Sequence, residues 1–225
     1  MTTHPTHTLP PLLEQPVQQL VARLESAPPR WMIGLAGMPG SGKTTLAARV
    51  AEAVNDRTAA NTAVALGMDG FHFTRAELRQ FPNVAEAFAR RGAPWTFDTA
   101  ALQQRLQQLR ASAGRVDSSW PGFEHAVGDP VEGAYTVPAS TRLVIVEGLY
   151  LLHHAAGWEA ISQLFDERWY LDIPLETALE RLALRHMQVW GITRAAAEHR
   201  IATSDRLNAE LVRDSAQFAD WRLVS

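Results

Sequence analysis

The chain contains no cysteine. That absence excludes a disulfide framework and a thiolate metal site, and it suits a reducing cytoplasm. No apolar run approaches the roughly 20 residues that a membrane-spanning helix requires, so no helical membrane anchor is expected. The start, Met1 to Pro11, is polar and carries neither the basic flank nor the apolar stretch of a secretory signal. A cytoplasmic location is the expectation. Charge of one sign is also scarce. The formal net charge is −3, which leaves no broad cationic field for a nucleic-acid backbone, and a dedicated DNA or RNA binder is not expected.

Lysine is nearly missing too. Of the 21 basic residues one is a lysine, Lys43, and all the others are arginine. A compact, flexible ammonium and a planar guanidinium fork do different work. The position of Lys43 therefore marks a site where an ammonium is required.

What is present is ordinary globular material: 225 residues, 46% of them hydrophobic and 20% charged. This suffices for one sizeable α/β core, and a single domain over 1–225 is expected, with a helical extension over 1–29. Leu13, Val17, Leu20, Val21 and Leu24 recur at nearly helical spacing before Pro28-Pro29. The short apolar runs Trp31 to Ala36, Ala63 to Met68, Leu143 to Val146 and Arg168 to Ile173 read as buried parallel strands. Helices are expected over 43–55, 99–111, 175–188 and 193–213, a hairpin or insertion somewhere in 114–140, and a last strand over 220–224. Alternating strands and helices imply an α/β, three-layer fold with a mostly parallel sheet and helices on both faces, and the glycine-rich string Gly37 to Thr44 between the first strand and its helix makes it a P-loop NTPase fold.

The chemistry begins at Gly37-Met38-Pro39-Gly40-Ser41-Gly42-Lys43-Thr44, placed between a strand and a helix. Its glycines let backbone N–H groups turn inward around phosphate oxygens, and the helix that follows adds its positive dipole end. Lys43 suits the β- and γ-phosphates, and the Thr44 hydroxyl suits Mg²⁺. The expected ATP contacts are Gly37, Pro39, Gly40, Ser41, Gly42, Lys43, Thr44 and Thr45. Glu147 closes an apolar strand, where P-loop proteins keep an acidic residue for Mg²⁺. Asp69 closes another. A carboxylate there would orient an acceptor hydroxyl and take its proton, and it is also a candidate for the metal shell. Spacing alone leaves Asp69-Gly70 equally readable as a turn.

Several strings occur in order: the loop itself, Met68-Asp69-Gly70-Phe71-His72, Arg91-Gly92-Ala93-Pro94-Trp95-Thr96-Phe97-Asp98, Pro121-Gly122-Phe123-Glu124-His125 with Asp129-Pro130, and Val146-Glu147-Gly148-Leu149-Tyr150. Together they resemble the motifs of the phosphoribulokinase/uridine kinase family, nearest to its bacterial nucleoside/nucleotide kinase or fructose-transport kinase branch, and two of them are similar to bacterial pantothenate kinase. The resemblance implies ATP and Mg²⁺, a small-molecule hydroxyl acceptor, Asp69 as catalytic base and Glu147 as the acid of the central strand. It implies acceptor contacts from the segments carrying His72, Arg91, Phe97, Phe123, His125 and Tyr150. A homodimer is left open. Arg181 and Arg185, four apart on one helix face, resemble the arginines of the family's lid, about 175–200, which neutralise the transferring phosphoryl group. Glu176 and Glu180 are the alternative partners for them.

Two other functions remain open at this point. One is a nucleotide-dependent switch or accessory ATPase. The guanine-recognition string Asn-Lys-x-Asp is excluded, since the only lysine is already in the loop. The other is a nucleoside monophosphate kinase, for which Arg75, Arg79, Arg90 and Arg91 could hold an acceptor phosphate. A phosphate acceptor needs no general base, so a working Asp69 argues for an alcohol.

Overall fold

A computed structural model describes residues 11–124, 127–155 and 157–224. The chain opens with α1 (Pro11–Leu24), which buries Leu13, Val17, Leu20 and Leu24 along one stripe. Then come β1 (Trp31–Gly37), α2 (Lys43–Arg57) and β2 (Ala63–Gly67), the last running into a 3₁₀ turn over Met68–Phe71. Two short helices, α3 (Arg75–Leu78) and α4 (Val84–Ala89), precede α5 (Thr99–Ala111). Strands β3 (Ser118–Glu124) and β4 (Asp129–Val137) form an antiparallel hairpin, which fills the 114–140 stretch. The remainder is β5 (Leu143–Gly148), α6 (Trp158–Ser162), β6 (Glu167–Asp172), α7 (Leu175–Trp190), α8 (Arg194–Arg200), a π turn over Ile201–Asp205, α9 (Arg206–Asp214) and β7 (Trp221–Val224).

The main sheet has the order β2-β5-β1-β6-β7, and every pairing in it is parallel. Parallel strands covered on both faces need apolar side chains on both faces, which is why β1 and β5 read as nearly unbroken apolar runs. All six residues of β5 are buried. One continuous apolar cluster extends from Leu13 in α1 to Leu223 in β7, so α1 packs as part of the core. In α5 the stripe Leu102, Leu106 and Leu109 is fully buried, as its spacing requires.

Two differences from the sequence expectation have local causes. The helix expected over 193–213 is interrupted by the π turn, whose last residue, Asp205, places Oδ2 2.9 Å from Nε2 of the buried His186. Helices α3 and α4 are too short for apolar periodicity to show. Their starts are nevertheless written as caps, Thr74 with Glu77 as a reciprocal capping box and Asn83 on the N–H of Glu86.

Candidate active site

Because β2, β5 and β1 are parallel neighbours, their carboxyl ends lie side by side, and each delivers one candidate residue to the same edge. Leu35, Glu147 and Gly67 are abreast in register. From that row β1 leads into the glycine loop, β5 ends at Gly148 and β2 leads to Asp69. Open parallel sheets bind ligands at this edge.

The loop is built to receive an anion. Helix α2 has Gly42 at its N-cap with no side-chain cap and no acidic residue in its first turn, whereas α3, α4, α5 and α8 are capped by Thr74, Asn83, Asp98 and Thr193. Its leading N–H groups and positive dipole end are thus left to a ligand. The Ser41 hydroxyl, buried in the loop, has no hydrogen-bond partner among the described residues. Gly40 and Gly42 take φ of 81° and 92°, which favour glycine. Gly40 is also pressed against α7: a Cβ there would fall 2.1 Å from the Ala178 carbonyl oxygen, while at Gly42 nothing lies within 4 Å.

Glu147 is only 9% exposed. Its Oε1 accepts a 3.0 Å hydrogen bond from the Thr44 hydroxyl, and the space beside it exists because residue 67 is glycine, where a Cβ would come within 3.3 Å of that oxygen. Burial pushes the Glu147 carboxyl above the ordinary glutamate range, against the opposing pull of Lys43 and the Thr44 bond. Burial likewise draws the Lys43 ammonium below the ordinary lysine range, with Glu147 and Asp69 opposing the fall and Arg185 adding to it. Loop, acid, Asp69 and α7 therefore share one electrostatic neighbourhood. Hydroxyl and carboxylate form the pair that a Mg²⁺ ion needs from a protein, its other ligands being phosphate and water.

Asp69 sits on the 3₁₀ turn, half-exposed, with no partner for its carboxylate among the described residues. The turn is held from three sides. A Cβ on Gly70 would meet the Pro121 carbonyl oxygen at 2.3 Å, and one on Gly148 would meet Met68 Sδ at 2.1 Å. The Trp120 indole donates to the Gly67 carbonyl at 2.9 Å. The β3–β4 hairpin thus docks on the turn that carries Asp69 and holds its backbone.

Arg181 and Arg185 on α7 are exposed and hold no ion pair among the described residues. The acids that could have taken them are engaged elsewhere, Glu180 with Arg194 at 2.6 Å and Glu176 with Arg206 at 3.1 Å.

The chain's match to the phosphoribulokinase/uridine kinase family model covers residues 32–220. The chain belongs to this family. It is therefore an ATP-dependent P-loop kinase of a small metabolite. This kinase is 40% identical over 177 residues to a Schizosaccharomyces pombe protein provisionally named a uridine kinase, an overlap of 79% of this chain and 74% of that one. It is 33% identical over 210 residues to the Escherichia coli protein YggC, 89% of this chain and 81% of the other. A Silicibacter structure, provisionally named a fructose transport system kinase, superposes with a TM-score of 0.83 at 30% identity, covering 93% of this chain and 98% of its own.

The kinase's expected acceptor residues divide by what they already bond. His72 stands against Phe97 and Phe123, with ring centroids 3.9 and 5.0 Å away. Phe97 is itself buried, against Tyr150 and Trp158. Tyr150 is fully buried, and its hydroxyl donates to the Gly92 carbonyl at 2.6 Å, so it anchors the Arg91-Gly92 loop. Arg91 lies over the Phe123 ring and donates to the Gly128 and Phe73 carbonyls and to Asp129, tying the hairpin tip to the segment after Asp69. His125 lies outside the described residues. Asn208 is buried and in contact with Arg90.

The glycine geometry gives a test. Gly40→Ala is expected to destabilise the kinase by about 2 kcal/mol or more, from positive-φ strain and overlap with Ala178. Gly42→Ala, with strain but open space, is expected to cost less. Urea unfolding of both variants checks the order.

Proposed function

We propose that the kinase transfers the γ-phosphate of ATP to a hydroxyl group of a small metabolite, with residues 11–224 working as one domain. The observation that carries this reading is Asp69: a carboxylate with no partner among the described residues, on a turn held by the hairpin, in the same electrostatic neighbourhood as the loop lysine and the Mg²⁺-suited Glu147. In this reading the loop amides and Lys43 hold the phosphates. Thr44 and Glu147 would hold Mg²⁺, which would supply positive charge to the phosphates of the nucleotide. Asp69 accepts a hydrogen bond from the acceptor hydroxyl, orients its oxygen toward phosphorus and takes the proton as the new P–O bond forms. Arg181 and Arg185 bring unpaired positive charge to the transferring group, and α7 acts as the lid. The walls of the acceptor site come from the segments of His72, Arg91 and Phe123, with Phe97 and Tyr150 supporting them from the core. Acceptor-dependent ADP release across a panel of hydroxyl compounds tests the reading. ADP formation that no hydroxyl compound accelerates would sink it.

The raised Glu147 carboxyl has a pH consequence. A protonated carboxyl cannot bind Mg²⁺, so kcat/KM for Mg·ATP is expected to fall as pH drops through the raised range, above where an ordinary glutamate titrates. Glu147→Gln is expected to lose this limb together with most of the Mg²⁺ affinity, checked by Mg²⁺ titration of the rate at several pH values.

A further inference from the structure

Arg90 follows α4 directly and is partly buried. Its only hydrogen bond among the described residues is a long one, Nη2 to the amide oxygen of buried Asn208 at 3.4 Å. Its Nε is buried with no partner, and no carboxylate pairs with it among the described residues. A guanidinium at least partly buried and without an anion is not in itself unusual in this chain. Arg30 is buried too, but its donors reach the carbonyls of Thr141, Leu109, Pro138 and Ala139 and the Ser112 hydroxyl. Arg91, Arg142 and Arg200 also have an unbonded Nε, yet Arg91 holds Asp129, Arg142 holds the Leu24 carbonyl and Arg200 faces Asp205. Arg90 lacks any such set. Taking a guanidinium out of water without pairing it is costly, and a ligand anion removes that cost.

Its position is on the acceptor side. The next residues are Arg91, which ties down the hairpin tip, and Gly92, whose carbonyl takes the Tyr150 hydroxyl at 2.6 Å. The charges of Arg90, Asp205 and Asp69 all bear on that hydroxyl, and of the two carboxylates Asp205 is already held by His186 and Arg200. In the kinase reading the nucleotide's charge is assigned to Lys43, Arg181 and Arg185, which leaves Arg90 over.

We propose that Arg90, braced by Asn208, recognises an anionic group on the acceptor, so that the substrate is an alcohol bearing a carboxylate or a phosphate. This rests on the kinase reading above. The anionic group is held and does not react; the bond to phosphorus forms at the hydroxyl beside Asp69.

The test uses matched probes, glycerate with glycerol and fructose 6-phosphate with fructose, in two assays on the full chain: ADP release with Mg·ATP, and thermal stabilisation with a non-hydrolysable ATP analogue. At least one anionic member is expected to stabilise the wild type, and to be turned over, well above its neutral partner. The carboxylate and phosphate arms tell the two anions apart. Arg90→Gln is expected to raise KM for that compound tenfold or more, or to abolish the stabilisation, with KM for ATP unmoved. Arg90→Lys, which keeps the charge but not the fork, is expected to fall between. Preference for the neutral members, no stabilisation by any anion, or equal behaviour of Arg90→Gln would overturn the proposal. Turnover of a neutral alcohol would do so while leaving the kinase reading intact, whereas ADP release that no hydroxyl compound accelerates would strike the kinase reading itself.

Discussion

Asp69→Asn is expected to lower kcat for acceptor phosphorylation by about 10²- to 10⁴-fold, the range a positioned general base contributes, while ATP binding stays near the wild-type value. The substitution keeps the side chain's size and removes its capacity to take a proton. The turn around it is set by Gly70 against Pro121, Met68 against Gly148 and Trp120 on the Gly67 carbonyl, none of which involves the carboxylate. A loss of activity therefore reports chemistry, not misfolding. The outcome also separates acceptor classes. A phosphate acceptor has no proton that must be removed, so a nucleoside monophosphate kinase would tolerate the change, and an alcohol kinase would not. Single-turnover rates with a turned-over acceptor, alongside binding of an ATP analogue, decide between them.

Lys43→Arg is expected to lower kcat/KM for Mg·ATP by about 10²-fold or more, comparable to removing a donor from a preorganised anion site, with the melting temperature little changed. Charge is kept in this variant, so the Glu147 carboxylate still faces a cation and the fold loses no counter-charge. What changes is shape. The ammonium is half-buried, its charge drawn on by Glu147 and Asp69 and opposed by Arg185, and a planar fork on a longer stem presents its charge and donors differently from a compact ammonium. Every other basic position in the chain is arginine. Equal turnover by Lys43→Arg would mean that the lone lysine carries no special requirement.

Much of this architecture was legible because periodicity and local grammar agree. The apolar runs that became β1, β2, β5 and β6 are short and bounded by glycine or proline, and α5 spans the 99–111 expected of it. The edge that gathers Lys43, Glu147 and Asp69 could be named from strand ends alone, since parallel neighbours must bring their carboxyl ends together. Long-range partners could not. Nothing in the string reveals that Glu176 and Glu180 would be taken by Arg206 and Arg194, leaving Arg181 and Arg185 without an ion pair among the described residues. Nor does it show that the Tyr150 hydroxyl would close on Gly92, or that His186, Trp190, Arg200 and Asp205 would join the end of α7 to the π turn. Those contacts depend on how helices pack, and a one-residue widening at Ile201–Asp205 carries no compositional mark.

The most direct measurement is the product itself. Incubating the kinase with Mg·ATP and an acceptor that accelerates ADP release, then following phosphorus by NMR, is expected to show one phosphate monoester of the acceptor for each ADP formed. ADP accompanied only by inorganic phosphate, with no ester on the acceptor, would contradict phosphoryl transfer to a hydroxyl.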